Sequence, residues 1–332
     1  VKTSPPHGSI PTLLVTAIGS FAAEAVITSL RRCSHMRILG SSTVPQEWTA
    51  TSALLDSVCQ VPTARDPQAY VERILSLCES ERITHVLPLT DIEVDAFVLH
   101  HEAFSRLGIT LCMSPVESLR LARDKWRVFE MFCSDPLIHT IPTWRLEALP
   151  STGLTLPLIA KPRGGRSSEG LERIYDVHDL VYFRRKLDER GYIVQPLLDG
   201  EVCVVDVVRQ RASGRVAAMA RQELMRTSNG AGMTVRMLND PALTDAALEV
   251  ARALDLNGCI NVEFLMHAGT PLLMDINPRF SAGVAFSQLS GYDMVINHWR
   301  CFSGEPLDEP VMPEPRIFVR RIVEVGPWGP ES

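Results

Sequence analysis

Asn261-Val262-Glu263-Phe264-Leu265 and Leu272-Leu273-Met274-Asp275-Ile276-Asn277-Pro278-Arg279-Phe280 are two apolar runs separated by the turn Ala268-Gly269-Thr270. Both have strand composition. Asp and Asn are depleted from strands, yet Asp275 and Asn277 stand inside the most apolar strand of the C-terminal half. Side chains two apart on a strand share a face, so these two point the same way. If the turn pairs the strands, Glu263 can lie opposite them. Two carboxylates and an amide on one sheet face are hard oxygen ligands, suited to Mg²⁺ that keeps waters and phosphate oxygens. Mn²⁺ is the alternative ion. Glu263, Asp275 and Asn277 are therefore candidate metal ligands, and Arg279, just past the strand, could hold a phosphate bidentately. The competing reading is a solvated acidic sheet face.

Upstream, strand runs recur at residues 156–161, 192–195, 201–208 and 216–223, with helices expected at 177–190 and 240–255. This is an α+β pattern dominated by antiparallel pairing. Directly after the first of these strands comes Lys161-Pro162-Arg163-Gly164-Gly165-Arg166-Ser167-Ser168-Glu169-Gly170. Its glycines and serines can bring backbone N–H groups close to an anion, and Lys161 and the arginines add positive charge. The G-x-x-x-x-G-K-[ST] spacing is absent, and a plain hairpin turn is the other reading. Gln195-Pro196-Leu197-Leu198-Asp199-Gly200-Glu201 reads as a strand, a break and a new strand. Arg221 and Arg226 flank Ser228-Asn229-Gly230-Ala231-Gly232, either a loop for a carboxylate or an exposed hairpin. Asp124-Lys125 closes a helical stretch opened by Pro115, and alone Lys125 reads as a surface charge.

The first third alternates strand and helix, with apolar strands at residues 13–18, 36–40, 85–89 and 109–113 and a helix at 67–80. Repeated βα units imply a small doubly wound domain ending near Ser114. Thr16-Ala17-Ile18-Gly19-Ser20 has one glycine where a G-x-G-x-x-G turn needs three, which argues against a dinucleotide-dependent oxidoreductase.

At ~100–200 residues per domain, the chain of 332 residues suggests two or three domains. A formal net charge of −6 gives no global attraction to nucleic acid or an anionic membrane. Residues 8–23, the longest uncharged stretch near the start, are broken by Pro11 and Gly19, whereas a spanning helix needs ~20 apolar residues. Lys2-Thr3-Ser4-Pro5-Pro6-His7 is polar and unlike a signal peptide. The 8 cysteines are scattered with no C-x-x-C pair, and the 9 histidines show no metal spacing. Reduced thiols packed in a cytoplasmic protein are the expectation.

Taken in order, these residues resemble the ATP-grasp superfamily, closest in look to carbamoyl phosphate synthase large-subunit lobes and the pyrrolysine-pathway ligase. The likeness runs from about Pro11 to about Gly304. It implies an α/β pre-ATP-grasp (Rossmann-like) domain over residues 1–114, then a two-lobed α+β ATP-grasp fold. The small lobe would cover 115–194 and the large lobe, with the metal site, 195–332. Leu87-Pro88-Leu89-Thr90-Asp91-Ile92-Glu93 looks like a strand end of the first domain. By resemblance, Lys125 and Lys161 reach nucleotide phosphates, and residues 164–170, with Gly164, Gly165, Ser167 and Ser168, form the covering loop. Gln195, Pro196, Leu197 and Leu198 match the hinge that reads adenine, and Glu201 a nucleotide contact. Glu263, Asp275 and Asn277 match the Mg²⁺ ligands, the first two also touching nucleotide, and Arg279 the arginine of the Asn-Pro-Arg motif. Two departures stand out. Asp275 is one methylene shorter than the usual glutamate, and Pro196 follows the hinge glutamine where many members have glutamate.

The resemblance implies an ADP-forming carbon–nitrogen ligase using MgATP, in which Lys161 and Arg279 assist phosphoryl transfer to a carboxylate and an amine then attacks the acylphosphate. Arg221, Arg226, Gly230, Arg279, Ser281 and Gly283 are the candidate substrate residues. Small-molecule carboxylates and amines, amino acids first, are the expected partners, and a homodimer is left open. A carboxylate kinase or carboxylase of the same fold and a non-catalytic nucleotide-binding regulator are the alternatives.

Overall fold

Five short strands with mostly buried centres make the N-terminal sheet of the computed structural model, which describes residues 10–32, 36–150, 153–165, 169–187 and 189–326. They are β1 (Thr12–Val15), β2 (Arg37–Ser42), β3 (Ser57–Gln60), β4 (His85–Leu87) and β5 (Thr110–Leu111). All pair in parallel, in the order β3-β2-β1-β4-β5. Helices α1 (Ala23–Arg32), α2 (Pro67–Glu81) and α3 (Asp91–Arg106) cross between or flank them. The order reverses between β1 and β4, which opens a crevice beyond their carboxyl ends. Two of these elements, β3 and α3, lie outside the sequence reading. Helix α3 opens with a capping box, Thr90 and Glu93 bonding reciprocally, a signal the sequence carried.

Two helices follow, α4 (Val116–Ala122) and α5 (Lys125–Phe132). Asp124, which reads as a helix end in the sequence, is the N-cap of α5 and accepts from the Trp126 and Arg127 amides. Lys125 thus begins a helix. Next come β6 (His139–Thr140), β7 (Trp144–Arg145), β8 (Leu158–Pro162), β9 (Glu172–Ile174), α6 (Val177–Lys186) and β10 (Tyr192–Pro196). Strands β7-β10-β8-β9 form an antiparallel sheet in that order. Helix α6 ends four residues before the expected Arg190, because Leu187 is already extended.

The largest layer is seven-stranded. It contains β11 (Glu201–Arg209), β12 (Val216–Arg226), β13 (Gly232–Leu238), β14 (Gly258–His267), β15 (Thr270–Asn277) and β16 (Ile317–Val319), with α7 (Pro241–Ala253), α8 (Val284–Leu289) and α9 (Met294–Ser303) against it. Its order is β16-β13-β12-β11-β14-β15-β6. One face packs on α7 through Cys203, Val205, Ala220, Val262 and Phe264, and Val128 and Phe132 of α5 join the same core. Full burial of such side chains contributes roughly 1.5–3 kcal/mol each. The other face, with Val208, Met219 and Val235, shares its core with α8, α9 and the β1 side of the parallel sheet. Among the described residues no helix is long and apolar enough to cross a membrane.

Gly200, in the connection into β11, tests how tightly this layer closes. A Cβ there would stand 2.5 Å from the Met266 carbonyl oxygen and 3.0 Å from Leu265. Gly200→Ala is expected to cost about 1–3 kcal/mol of stability. The readout is a lower urea midpoint at an unchanged slope.

Candidate nucleotide and metal site

The turn between β14 and β15 does pair the two strands, and Glu263 lies directly opposite Asp275, with Asn261 opposite Asn277. A register shift follows Glu263, so Phe264 meets Leu273. Leu273 and Ile276 turn into the α7 core, while Asp275 and Asn277 face the other side. Asn277 Nδ2 donates to Glu263 Oε1 at 3.1 Å and to Asn261 Oδ1 at 3.0 Å. Burial raises the Glu263 pKa, Arg226 opposes it, and the Asp275 charge adds to it. A carboxylate strained in this way gains from a cation.

Cations reach the pair from three elements. Lys125 Nζ lies 3.1 Å from Asp275 Oδ1 and donates to the Gly165 carbonyl at 3.1 Å. Lys161, on β8, donates to the Met274 carbonyl at 3.5 Å. Burial, against the attraction of Asp275, and the neighbouring Lys125 charge bring its pKa down to about 8. Arg226 Nη2 pairs with Glu263 Oε2 at 3.1 Å. Residues three apart on a regular strand face opposite ways, but β12 carries register shifts between Glu223 and Arg226. This irregularity turns both side chains to the site face.

Arg279 is tied elsewhere. Its Nη2 and Nε donate to Asp91 Oδ2 at 2.8 and 3.2 Å, and Arg123 Nη1 lies 3.4 Å from Asp91 Oδ1. Asp91 is 4% exposed. Burial would raise its pKa, but Arg279 and Arg123 outweigh that and lower it. The first residue of α3 thereby joins the N-terminal sheet to the end of β15. Neither Asp91 nor Arg123 was singled out as a site residue in the sequence, although Asp91 stands in the quoted strand-end motif.

The remaining candidates divide. Gly164 and Gly165 follow β8, and the Arg163 carbonyl accepts from the Lys125 amide; Ser167 and Ser168 lie outside the described residues. Gln195 is buried, and its Nε2 donates to Thr143 Oγ1 at 2.8 Å. Pro196, Leu197 and Leu198 are half-buried, and the Leu197 amide donates to the Pro157 carbonyl. Glu201 stands apart. It shares a strand face with Cys203, toward α7, and lines an open cleft with Asp199, Gln222, Asp240 and Met266. The thickness of the sheet separates it from Glu263. Arg221 is 1% exposed, with Nη1 on Asp206 at 2.7 Å and Nε on Glu223 at 3.1 Å. It also donates to Ser281 Oγ at 3.1 Å, and a Cβ on Gly283 would meet its Nη2 at 2.8 Å. Its charge is committed inside the protein and holds the Ser281–Gly283 loop. Gly230, at φ +89°, presents its carbonyl to Arg226 Nε at 3.0 Å.

Glu263, Asp275 and the Asn277 amide fit an oxygen-seeking divalent ion whose shell is completed by phosphate oxygens and water. Among the described residues there is no group of three or more acidic, His or Cys side chains that would hold an ion unaided. A cleft lined by Lys125, Phe129, Thr143, Gln195, Met274 and Asp275 runs between α5, the small sheet and β15. It brings together Lys125, Gln195 and Asp275, three residues far apart in sequence.

Known proteins resemble this chain in sequence and in fold. Residues 188–325 match the family "ATP-grasp in the biosynthetic pathway with Ter operon". Residues 25–112 match "PylC-like, N-terminal domain". Its fold is the ATP-grasp fold. It is 21% identical over 253 residues to the arginine-specific carbamoyl phosphate synthase large chain of Bacillus subtilis, covering 72% of this chain and 24% of that one. It is 24% identical over 322 residues to the carbamoyl phosphate synthase large chain of Methanothermobacter thermautotrophicus, covering 87% and 29%. This chain thus spans under a third of the length of these curated relatives. Biotin carboxylase of Campylobacter jejuni, solved as a β-γ-ATP complex, superposes with a TM-score of 0.75 at 15% identity, covering 90% of this chain and 72% of that one. N5-carboxyaminoimidazole synthetase of Staphylococcus aureus with ADP gives a TM-score of 0.72 at 13% identity, covering 93% and 80%.

Lys161 gives the site a pH dependence. Its ammonium is present below about 8 and lost above it, and a bound phosphate favours the charged form. MgADP affinity measured by calorimetry is expected to fall as pH rises through 8, by at most about tenfold per pH unit. In Lys161→Arg the profile should be flat over that range.

Proposed function

We propose that this chain is an ATP-dependent carboxylate–amine ligase, ADP-forming, acting on amino acids or small carboxylates. The facing pair Glu263 and Asp275, with Lys125 and Lys161 against it and Arg279 past the strand end, is the observation that carries this reading. Mg²⁺ bound there supplies charge neutralisation for the β- and γ-phosphates.

Lys125 and Lys161 hold phosphate oxygens once nucleotide replaces their present partners. Arg279, fixed by Asp91, stabilises charge on the γ-phosphoryl group as it moves. A substrate carboxylate oxygen attacks the γ-phosphorus, the bond to the β-phosphate oxygen breaks, and ADP leaves. A neutral amine then attacks the acylphosphate carbon. The C–N bond forms, the C–O bond to phosphate breaks, and the amine loses a proton to solvent. Gly165, whose carbonyl holds Lys125, lies where it helps exclude water from the acylphosphate. No enzyme nucleophile is required. Positioning and charge stabilisation provide the acceleration.

A carboxylase reading is the second one, favoured by the likeness to biotin carboxylase and to N5-carboxyaminoimidazole synthetase. Bicarbonate would then be the carboxylate that is phosphorylated. ADP release from MgATP across amino acids, singly and in pairs, with and without bicarbonate, separates the two. Mass spectrometry of the same reactions should find a product equal to the two substrates minus water. Bicarbonate-dependent ADP release with a mass gain of CO₂ would replace the ligase by a carboxylase.

Asp275→Asn removes one of the two facing carboxylates while keeping the shape. It is expected to lower turnover at least 100-fold, on the scale of about 2.7 kcal/mol of lost transition-state stabilisation. Its melting temperature should stay close to that of the parent. A near-parental rate would remove Asp275 from the site.

A further inference from the structure

Among the described residues, two cations that are not exposed lack a carboxylate within ion-pair distance, Lys161 and Arg320. Lys161 belongs to the phosphate end. Arg320 follows β16, some forty residues beyond the Asn-Pro-Arg stretch, and was not among the candidates in the sequence. Its backbone is pinned, the amide donating to the Met233 carbonyl at 2.7 Å. Its guanidinium donates only to carbonyls, that of Ala282 through Nη2 and that of Phe21 through Nη1. The Phe21 and Phe286 rings lie 5.1 and 5.7 Å from it. These contacts fix the fork without neutralising it. Burial and the Arg221 charge lower its pKa.

The surroundings of the two cations differ. Lys161 feels Asp275, Lys125 and Glu263, whereas Arg320 feels Arg221, Glu223 and Glu24. Arg320 thus presents a guanidinium held by two backbone carbonyls and two rings, with no carboxylate within ion-pair distance among the described residues. Phe21 lies in the loop after β1 and Asp91 opens the helix after β4, and sheet order reverses between those two strands. In open parallel sheets ligands bind in that crevice. Arg279 and Arg320 both reach into it from the C-terminal part of the chain.

We propose that Arg320 anchors the carboxylate of an α-amino-acid acceptor, an anion retained through the reaction while the same molecule's amine attacks the acylphosphate. This rests on the ligase reading above. The fork matches a carboxylate bidentately. An anchor at this end selects amines that carry their own negative charge.

The test is thermal melting of the MgADP-loaded chain with single α-amino acids and with the matching amino-acid amides. At least one amino acid should raise the melting temperature, and its amide should not. Arg320→Gln should weaken that amino-acid response about tenfold or more, with Arg320→Lys recovering part of it. The MgADP shift reports folding and nucleotide binding in each variant. Equal shifts from an amino acid and its amide, an unchanged response in Arg320→Gln, or no amino-acid shift in the parent would each overturn the anchor. A parent chain that fails to respond to MgADP would instead overturn the ligase reading.

Discussion

Two like charges held opposite each other govern the centre of this molecule. Cross-strand neighbours have Cβ atoms ~5 Å apart, so an ionised Glu263 and Asp275 repel by about 3 kcal/mol at an effective dielectric near 20. The strands cannot separate them, because Phe264, Leu273 and Ile276 lock the same residues into the α7 core. The chain answers with charge from outside the pair: Lys125 from a helix start, Arg226 from an irregular strand, Lys161 from another sheet. A divalent ion with nucleotide phosphates would exchange partners with those cations. The pair is thus balanced by protein cations drawn from three separate elements.

Behind this centre lies a second layer of buried charge. Asp206, Arg221 and Glu223 are almost fully excluded from water, and Ser287 Oγ donates to the same Asp206 Oδ2 that Arg221 holds, at 2.8 Å. Buried charges survive only when paired and hydrogen-bonded. Glycine is needed where the backbone touches the cluster. A Cβ on Gly232 would come within 2.4 Å of Glu223 Oε2, as one on Gly283 would crowd Arg221. The loop after Arg279 inherits its position from this layer.

What the sequence made legible follows from periodicity. Glu263, Asp275 and Asn277 share a face because a two-residue period and a short turn dictate it. The alternating elements of the first third gave a parallel sheet for the same reason. Where the reading fell short, a tertiary contact intervened. Lys125 looked like a helix end because the break between α4 and α5 depends on Asp124, which caps α5 and also binds Arg163 at 2.6 Å. Arg221 looked like an exposed ligand-binding group, since nothing local reveals that Asp206 and Glu223 bury it. Glu201 looked like a nucleotide contact, yet strand alternation turns it to the α7 face. Asp91 and Arg320 are joined to the site across 188 and 38 residues of sequence, and no window of a single chain reports such pairs.

The Asp91 tie has a consequence for how such a protein can be inherited. Its carboxylate begins a helix of the N-terminal sheet, while the guanidiniums it neutralises belong to Arg123 and to the Arg279 that ends β15. Arg123 also pairs with Asp95 of the same helix, so splitting the gene between the two modules would strand two negative charges on the first piece and two positive charges on the second. Shuffling either half with a relative's would succeed only where the newcomer brought an acid to the same helix start. The two halves are therefore expected to travel through descent as one heritable unit.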